Sequence, residues 1–272
     1  MTFGPRMKKR NPPEENGEFM SRLLRPIALL IVCTSCVGAQ QVQAGEVLAR
    51  ALHLADLYNW SDAAPAFTEA EQLFIAAGDR RNALYAKLGR IRSNIERDQQ
   101  TLPQVSAQLA EALDDDPLLQ NDKQLRMFCL IVRGDIDTET NTGAMRQDWE
   151  QVMALARDLG DSKWQYRALA QLSMAAFYDA DLETARRNIG TALAAATSNG
   201  DVGGQIRSLT IIAGALLHTK MYEQSLTYIS SANKIAASTP DTGYQFTAQE
   251  MRIQALVGLG QLDTAQQAVD EL

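Results

Sequence analysis

The chain has 272 residues, of which 46% are hydrophobic and 22% are charged, and its formal net charge is −7 at pH 7. This composition is that of a globular protein and excludes disorder of the whole chain. The acidic balance argues against a nucleic-acid partner, because general nucleic-acid binders carry a basic excess. With only 3 cysteines and 2 histidines, zinc ribbons, His-rich metal sites and disulfide scaffolds are all disfavoured.

Two stretches precede the repeated part of the chain. Residues 1–19 are polar, contain proline and show no periodicity, so we expect a disordered extension. Residues 20–44 have the anatomy of a secretory signal peptide, since Arg22 and Arg25 precede an apolar run at 27–32. That run is shorter than the roughly 20 residues that span a membrane. We therefore predict an exported, periplasmic protein.

The sequence leaves several details of this start open. Small residues place signal-peptidase cleavage before Gln40 or Gly45, whereas an uncleaved segment would tether the protein to the membrane. Residues 34–36 weakly resemble a lipoprotein box, although Cys33 stands where leucine is usual, so a lipidated Cys36 is a second possible tether. Translation could begin at any of three methionines, Met1, Met7 or Met20.

Glycine–aspartate pairs divide the rest of the chain at regular intervals. Gly78, Gly160 and Gly200 each precede an aspartate, and the steps from 160 to 200 and from 200 to Pro240 are both 40 residues. Each interval holds two stretches with the apolar spacing of an amphipathic helix, separated by a short break. A repeat of this length with two helices per unit predicts a helical array.

We predict about six antiparallel helix pairs, which occupy residues 45–272 as one repeat domain. The first three pairs follow the repeat pattern less closely than the rest do. A polar insertion at 134–143 separates the two helices of the third pair. The predicted pairs are 45–59 with 60–77, 80–98 with 102–114, 118–132 with 145–159, and the units 162–199, 201–240 and 241–272.

The unit at 162–199 resembles the tetratricopeptide repeat. The matching residues are Leu169 and Leu172 in its first helix and Ala185, Ile189 and Ala192 in its second. The resemblance implies an all-α fold, a right-handed α-solenoid whose concave groove binds a protein or peptide ligand. The units are longer than the usual 34 residues and most of the family's aromatic positions are replaced, so other helical-pair solenoids remain an alternative.

One polar face stands out as a candidate peptide-binding site. Lys87, Arg90, Asn94 and Arg97 follow the spacing i, i+3, i+7 and i+10 of one helix face in the second pair. In tetratricopeptide proteins that clamp peptide carboxylates, a basic residue and an asparagine stand at the positions of Arg90 and Asn94. Guanidinium and amide donors bind an acidic terminus through charge-assisted hydrogen bonds. The alternative is an ordinary solvated face.

The sequence contains no constellation typical of an enzyme. His53 and His218 lie in different helices, several repeats apart, and no phosphate-binding, zinc-protease or dinucleotide motif occurs. We therefore predict no cofactor, no metal site and no catalysis by this chain, while a catalytic domain beyond residue 272 stays open. Cys129 lies in an apolar run, which indicates a buried and unreactive thiol.

These observations favour a non-enzymatic, exported interaction module that binds a protein or peptide. The alternative is the extracytoplasmic sensory region of a larger bacterial signalling protein, a sensor histidine kinase or diguanylate cyclase. The sequence is similar to such regions because a signal-like start precedes long tetratricopeptide-like repeats. The last predicted helix is short, and Ala265, Ala268, Val269 and Leu272 would form an exposed apolar stripe. We therefore expect either a longer protein or self-association through the C-terminal helix pair.

Overall fold

A computed structural model describes residues 41–271, so the predicted extension at 1–19 and almost all of the predicted signal peptide lie outside the described part. The described residues form helices and turns without a strand, which confirms the all-α prediction. A short 3-10 helix (Gln99–Thr101) precedes α4. The helices are α1 (41–56), α2 (Trp60–Ala76), α3 (Arg80–Arg92), α4 (Leu102–Asp115), α5 (Pro117–Asn121), α6 (Lys123–Thr140), α7 (Thr142–Asp158), α8 (Ser162–Tyr178), α9 (Leu182–Ser198), α10 (Val202–His218), α11 (Tyr222–Ala237), α12 (Gln245–Gly258) and α13 (Leu262–Asp270).

Acidic and amide side chains begin many of these helices. The carboxylate of Asp79 accepts the backbone N–H of Asn82 at 3.1 Å, which satisfies a donor that the helix cannot pair internally. The same kind of cap begins α2, α3, α6, α7, α8 and α9, at Asn59, Asp79, Asp122, Asn141, Asp161 and Asp181. The predicted glycine–aspartate boundaries are therefore confirmed as turns between helices.

In several of the turns between helices, the residue before the cap adopts the left-handed backbone conformation. It is glycine, with φ between 64° and 74°, at Gly78, Gly160, Gly200 and Gly260. Two exposed non-glycine residues adopt the same conformation, Ala180 at φ 60° and Lys220 at φ 61°. This conformation brings Cβ too close to the backbone in an L-residue and therefore strains it.

We expect Ala180→Gly and Lys220→Gly each to raise the free energy of unfolding by about 0.5–1 kcal/mol, because glycine adopts positive φ without that strain. Urea denaturation followed by circular dichroism measures the change. The matched control is Ala194→Gly, since Ala194 is exposed inside α9 and glycine there should cost about 1 kcal/mol. Equal changes in the free energy of unfolding at all three positions would contradict the prediction that positive φ strains Ala180 and Lys220.

Successive helices pack on each other along the chain. The three C-terminal pairs form as predicted, α8 with α9, α10 with α11 and α12 with α13, and neighbouring pairs join through α9 with α10 and α11 with α12. Ala185 and Ala192 are buried as expected for small residues between helices. The second predicted pair is wrong, because α3 and α4 both pack mainly against α6 rather than on each other. Helix α6 therefore lies at the centre of the largest apolar cluster.

The polar insertion predicted at 134–143 is wrong. Residues to Thr140 continue α6, and Asn141 caps α7 directly. Contacts with α7 explain this, because Arg133 Nε lies 2.8 Å from an oxygen of the buried Asp148 carboxylate, and a Cβ on Gly134 would press on the Trp149 ring. Within the stretch itself, Asp135 pairs with Arg92 and Asp137 accepts a hydrogen bond from Ser106, so both acidic residues pair inside the fold rather than loop out.

Two further predictions concern single features. Cys129 is buried in α6, and burial raises the pKa of its thiol to about 12, which confirms a poorly reactive group. The predicted apolar stripe on the last helix is wrong in part. Ala265 and Ala268 are buried in a cluster with Leu256, while Val269 is 45% exposed. Leu272 lies outside the described residues.

Candidate ligand-binding site

The four residues of the predicted peptide-binding face do not lie on one face of a single helix. Helix α3 ends at Arg92, so Asn94 and Arg97 lie in the turn that follows it. Arg90 pairs through Nε with a Glu71 oxygen on α2 at 2.8 Å, and the Asn94 amide donates to the Arg90 carbonyl at 2.8 Å. Arg97 pairs with the adjacent Asp98, and Lys87 is exposed.

Three of these residues nevertheless line one surface. Arg90, Asn94 and Arg97 border an open depression of about 750 Å³ between α2 and the turn after α3, whereas Lys87 does not. The internal hydrogen bonds of Arg90 and Asn94 leave them fewer free donors for a peptide carboxylate than the spacing suggested. The helix end at Arg92 is the physical reason for this different arrangement.

A second, more enclosed cavity lies where the predicted first helices of several pairs meet. It has a volume of about 140 Å³, and α6, α8, α10, the end of α3 with its following turn, and the start of α12 contribute to its lining. The turn between α1 and α2 completes it with Tyr58 and Trp60. We call this space the central cavity. Its polar lining includes Arg92, Asp135, Gln171, Arg207 and Tyr244.

The turn at 56–59 is held against distant parts of the chain. The backbone N–H of Gly243 donates to the Leu57 carbonyl at 3.2 Å, and a Cβ on Gly243 would collide with the backbone of this turn. Gly203 at the start of α10 is just as close, since a Cβ there would overlap the Asp56 carbonyl oxygen. The first turn of the array therefore rests on α10 and on the loop before α12.

A buried ion-pair cluster anchors the same turn. The Arg167 guanidinium contacts both Asp201 oxygens, at 2.6 and 2.8 Å, and one Asp56 oxygen at 2.9 Å. Lys163 Nζ lies 2.5 Å from the other Asp56 oxygen. Burial opposes ionisation of Asp56 and Asp201, but these cations outweigh it and hold the pKa of each carboxyl below its usual value. The cluster joins α1, α8 and α10.

Arginine and tryptophan side chains alternate beside the cavity. The Arg92 guanidinium lies 5.3 Å from the Trp60 ring centre and 5.6 Å from that of Trp164, and Arg167 lies 5.5 Å from Trp164. Arg92 Nε also pairs with an Asp135 oxygen at 2.6 Å, and both side chains are largely buried. The Asp135 carboxylate therefore neutralises the Arg92 charge, and the two rings help to fix the position of the guanidinium.

Arg207 differs from the other two arginines near the turn. Its guanidinium donates to the Gln171 side-chain oxygen at 3.1 Å. Within residues 41–271, no carboxylate forms an ion pair with it, whereas Arg92 and Arg167 both have acidic partners. Arg207 is half-buried and lines the central cavity. An unneutralised guanidinium in such a setting favours an anionic ligand.

Tyr58, in the turn at 56–59, also lines the central cavity. It occupies the position that glycine takes in other turns, with φ 59°. Burial raises the pKa of its hydroxyl, against the opposing influence of Arg207, Arg167 and Arg92. An aromatic residue held in a strained left-handed conformation, with its side chain lining a cavity, is a candidate functional residue.

The cavity also has an acidic border. Glu96 and Glu139 line it, and neither carboxylate forms an ion pair within the described residues. Burial, followed by the nearby Glu250 and Glu139 charges, raises the pKa of the Glu96 carboxyl. The lining therefore offers one guanidinium without an acidic partner, Arg207, and two carboxylates without a cationic partner among the described residues, which together suit a ligand that carries both signs of charge.

Sequence reasoning missed the residues of the central cavity. Arg92, Gln171 and Arg207 lie in first helices that contain other polar residues as well, so their residue types alone did not single them out. Tyr58 was visible, because it precedes Asn59 where glycine precedes aspartate in other turns. The fold alone brings these positions together, since Tyr58 and Tyr244 are far apart in sequence.

The sequence matches no family model and no curated protein in the comparisons made with it. Among residues 41–271, no helix is both long and apolar enough to cross a membrane. In that part of the chain, no group of three or more histidine, cysteine, aspartate or glutamate side chains is placed to hold a metal ion.

Proposed function

We propose that the chain is a non-enzymatic interaction module built as a right-handed, tetratricopeptide-like α-solenoid, and that it recognises its ligand at the central cavity. The helical pairs that pack in chain order support the solenoid. Stacked helix pairs present the inner sides of their first helices as one surface, and such surfaces bind other molecules. Export to the periplasm remains part of this proposal.

The single observation that carries this function is the unpaired Arg207 guanidinium in the wall of the cavity. A half-buried cation without an acidic partner costs stability, because part of its hydration is lost and no carboxylate replaces it. Arg92 and Arg167 beside the same turn have such partners. The difference supports a binding role for Arg207 rather than a structural one.

A sensory region of a larger signalling protein is the second candidate. The size of the cavity favours it, since about 140 Å³ is below the usual volume of a ligand pocket and suits a small molecule. The turn at 56–59 covers part of the inner surface by its contacts with Gly203 and Gly243. A small ligand that bridges this turn and α10 could change how the array closes.

The interaction role is tested by selecting a random peptide library on the immobilised protein. We expect enriched peptides on the native protein and loss of enrichment with Arg207→Gln. Glutamine keeps a polar side chain at this position but lacks the positive charge and the forked donors of the guanidinium. Arg186→Gln is the matched control, since Arg186 is an exposed residue of α9 outside the cavity. Enrichment that is equal on all three proteins would refute recognition at Arg207.

The same selection tests the face predicted from the sequence. If Arg90 and Asn94 clamp an acidic terminus, Arg90→Ala should weaken binding by about 1.5–3 kcal/mol. Peptides with free and amidated ends should then differ in affinity. Loss of binding in Arg90→Ala, with full binding in Arg207→Gln, would move the site to the depression beside α2.

A further inference from the structure

The arginines around the turn at 56–59 have acidic partners, with one exception. Arg167 is neutralised by Asp56 and Asp201, and Arg92 by Asp135. Arg207 has an uncharged partner, Gln171, whose oxygen orients the guanidinium. The Arg207 guanidinium, which no carboxylate neutralises, therefore lines the cavity, where a ligand can bind to it.

The volume of the cavity limits the size of the group that it can hold. It measures about 140 Å³, which is close to the roughly 150 Å³ of an engineered cavity that holds benzene. The space therefore fits one small molecule, with Tyr58 and Tyr244 beside it.

The acidic border limits the ligand's charge. Glu96 and Glu139 line the same cavity as Arg207 and have no cationic partner among the described residues. A ligand with two negative charges would be repelled by these carboxylates, whereas an ammonium group would be attracted to them. A molecule that carries one carboxylate and one ammonium group satisfies both sides of the lining.

We propose that the central cavity binds a free α-amino acid, with its carboxylate on the Arg207 guanidinium and its ammonium group towards Glu96 and Glu139. This inference rests on the proposed binding role of the central cavity. Tyr58 and Trp60 enclose the side chain of the ligand, so a small or medium-sized side chain is favoured. Gln171 is a positioning residue, because it holds the guanidinium and does not need to touch the ligand.

The test is isothermal titration calorimetry of the purified full-length protein with each standard amino acid in turn. We expect at least one to bind, and we expect Arg207→Gln to weaken that binding about ten- to hundred-fold through loss of charge-assisted hydrogen bonds. Arg186→Gln should bind like the native protein. The amide and the deaminated analogue of the same amino acid should bind more weakly, since each lacks one charge.

Tyr58→Gly keeps the proposal testable if Arg207→Gln fails to fold. Glycine suits the left-handed turn but removes the contacts of the ring with Trp60 and with the apolar cluster beside it, so circular dichroism first establishes that the variant is folded. We expect the folded variant to lose affinity about ten-fold or more with the aromatic wall. Undiminished binding in a folded Tyr58→Gly protein would overturn the assignment of the ligand to this cavity.

Other results would overturn the proposal as clearly. They are absence of binding by every standard amino acid at millimolar concentration, affinity unaffected by Arg207→Gln, and binding of inorganic phosphate in preference to amino acids. Arg207-dependent capture of peptides without binding of any free amino acid would refute this inference while the interaction role stands. Absence of both would refute the proposed function as well.

Discussion

Arg167→Ala should lower the free energy of unfolding by about 3 kcal/mol at neutral pH, because it leaves a buried carboxylate without its partner. The side chains of Arg167 and Asp201 are each only 9% exposed, and the guanidinium contacts both oxygens of that carboxylate. Asp56 contributes less to the loss, since it is 38% exposed and keeps Lys163. Thermal and urea denaturation measure the change.

The effect should depend on pH in a defined direction. The pKa of Asp201 is lowered in the folded protein, so its stabilisation is present above the unfolded value of about 3.9 and is lost as pH falls through the folded-state pKa. In the variant, burial of Asp201 is no longer opposed by Arg167, and protonation in mild acid relieves the buried charge. The difference between native and variant proteins should therefore shrink as pH falls.

Arg186→Ala provides the control, because Arg186 is exposed on α9. It should change stability by no more than about 0.5 kcal/mol. A second variant, Arg167→Met, retains most of the apolar stem and separates loss of charge from loss of packing. A pH-independent difference between the native protein and Arg167→Ala would show that Asp201 is not the destabilised group.

Gly203→Ala should lower the free energy of unfolding by about 2 kcal/mol, because a Cβ at this position overlaps the Asp56 carbonyl oxygen and lies 3.0 Å from the Arg167 guanidinium. Backbone cannot move aside as a flexible side chain can. The turn at 56–59 must therefore separate from α10, and the ion pairs of Arg167 must lengthen with it. Urea denaturation measures the loss.

Gly190→Ala gives this prediction a control of opposite sign. Gly190 is exposed in α9, and a Cβ there meets nothing within 4 Å. Alanine should therefore stabilise the helix by about 0.5–1 kcal/mol. If Gly203→Ala were as stable as Gly190→Ala, the contact between the first turn of the array and α10 would be refuted.

Much of the helical architecture could be predicted because its signals are local. The bounds of α8 and α9 follow from Asp161, Asp181 and Gly200, and each of these acts on backbone groups within a few residues. A capping carboxylate or a left-handed glycine has its effect wherever the chain goes next.

Predictions failed where distant contacts compete with local polarity. Residues 134–143 are polar, yet α6 continues through most of them because Gly134 fits beneath Trp149 and Asp137 accepts a hydrogen bond from Ser106 at 2.7 Å. The spacing through Asn94 suggested a longer α3, but that helix ends at Arg92. Burial and pairing with other helices outweigh the preference of single residues.

The candidate site shows the same division between local and distant causes. The sequence shows Arg92, Arg167 and Arg207 in three predicted first helices, but it does not say which of them is neutralised. Arg167 finds its carboxylates 34 and 111 residues away. Ion pairing falls steeply with distance and depends on burial, so folding alone sets the charge balance of the cavity. Of these three arginines, Arg207 alone has no acidic partner among the described residues.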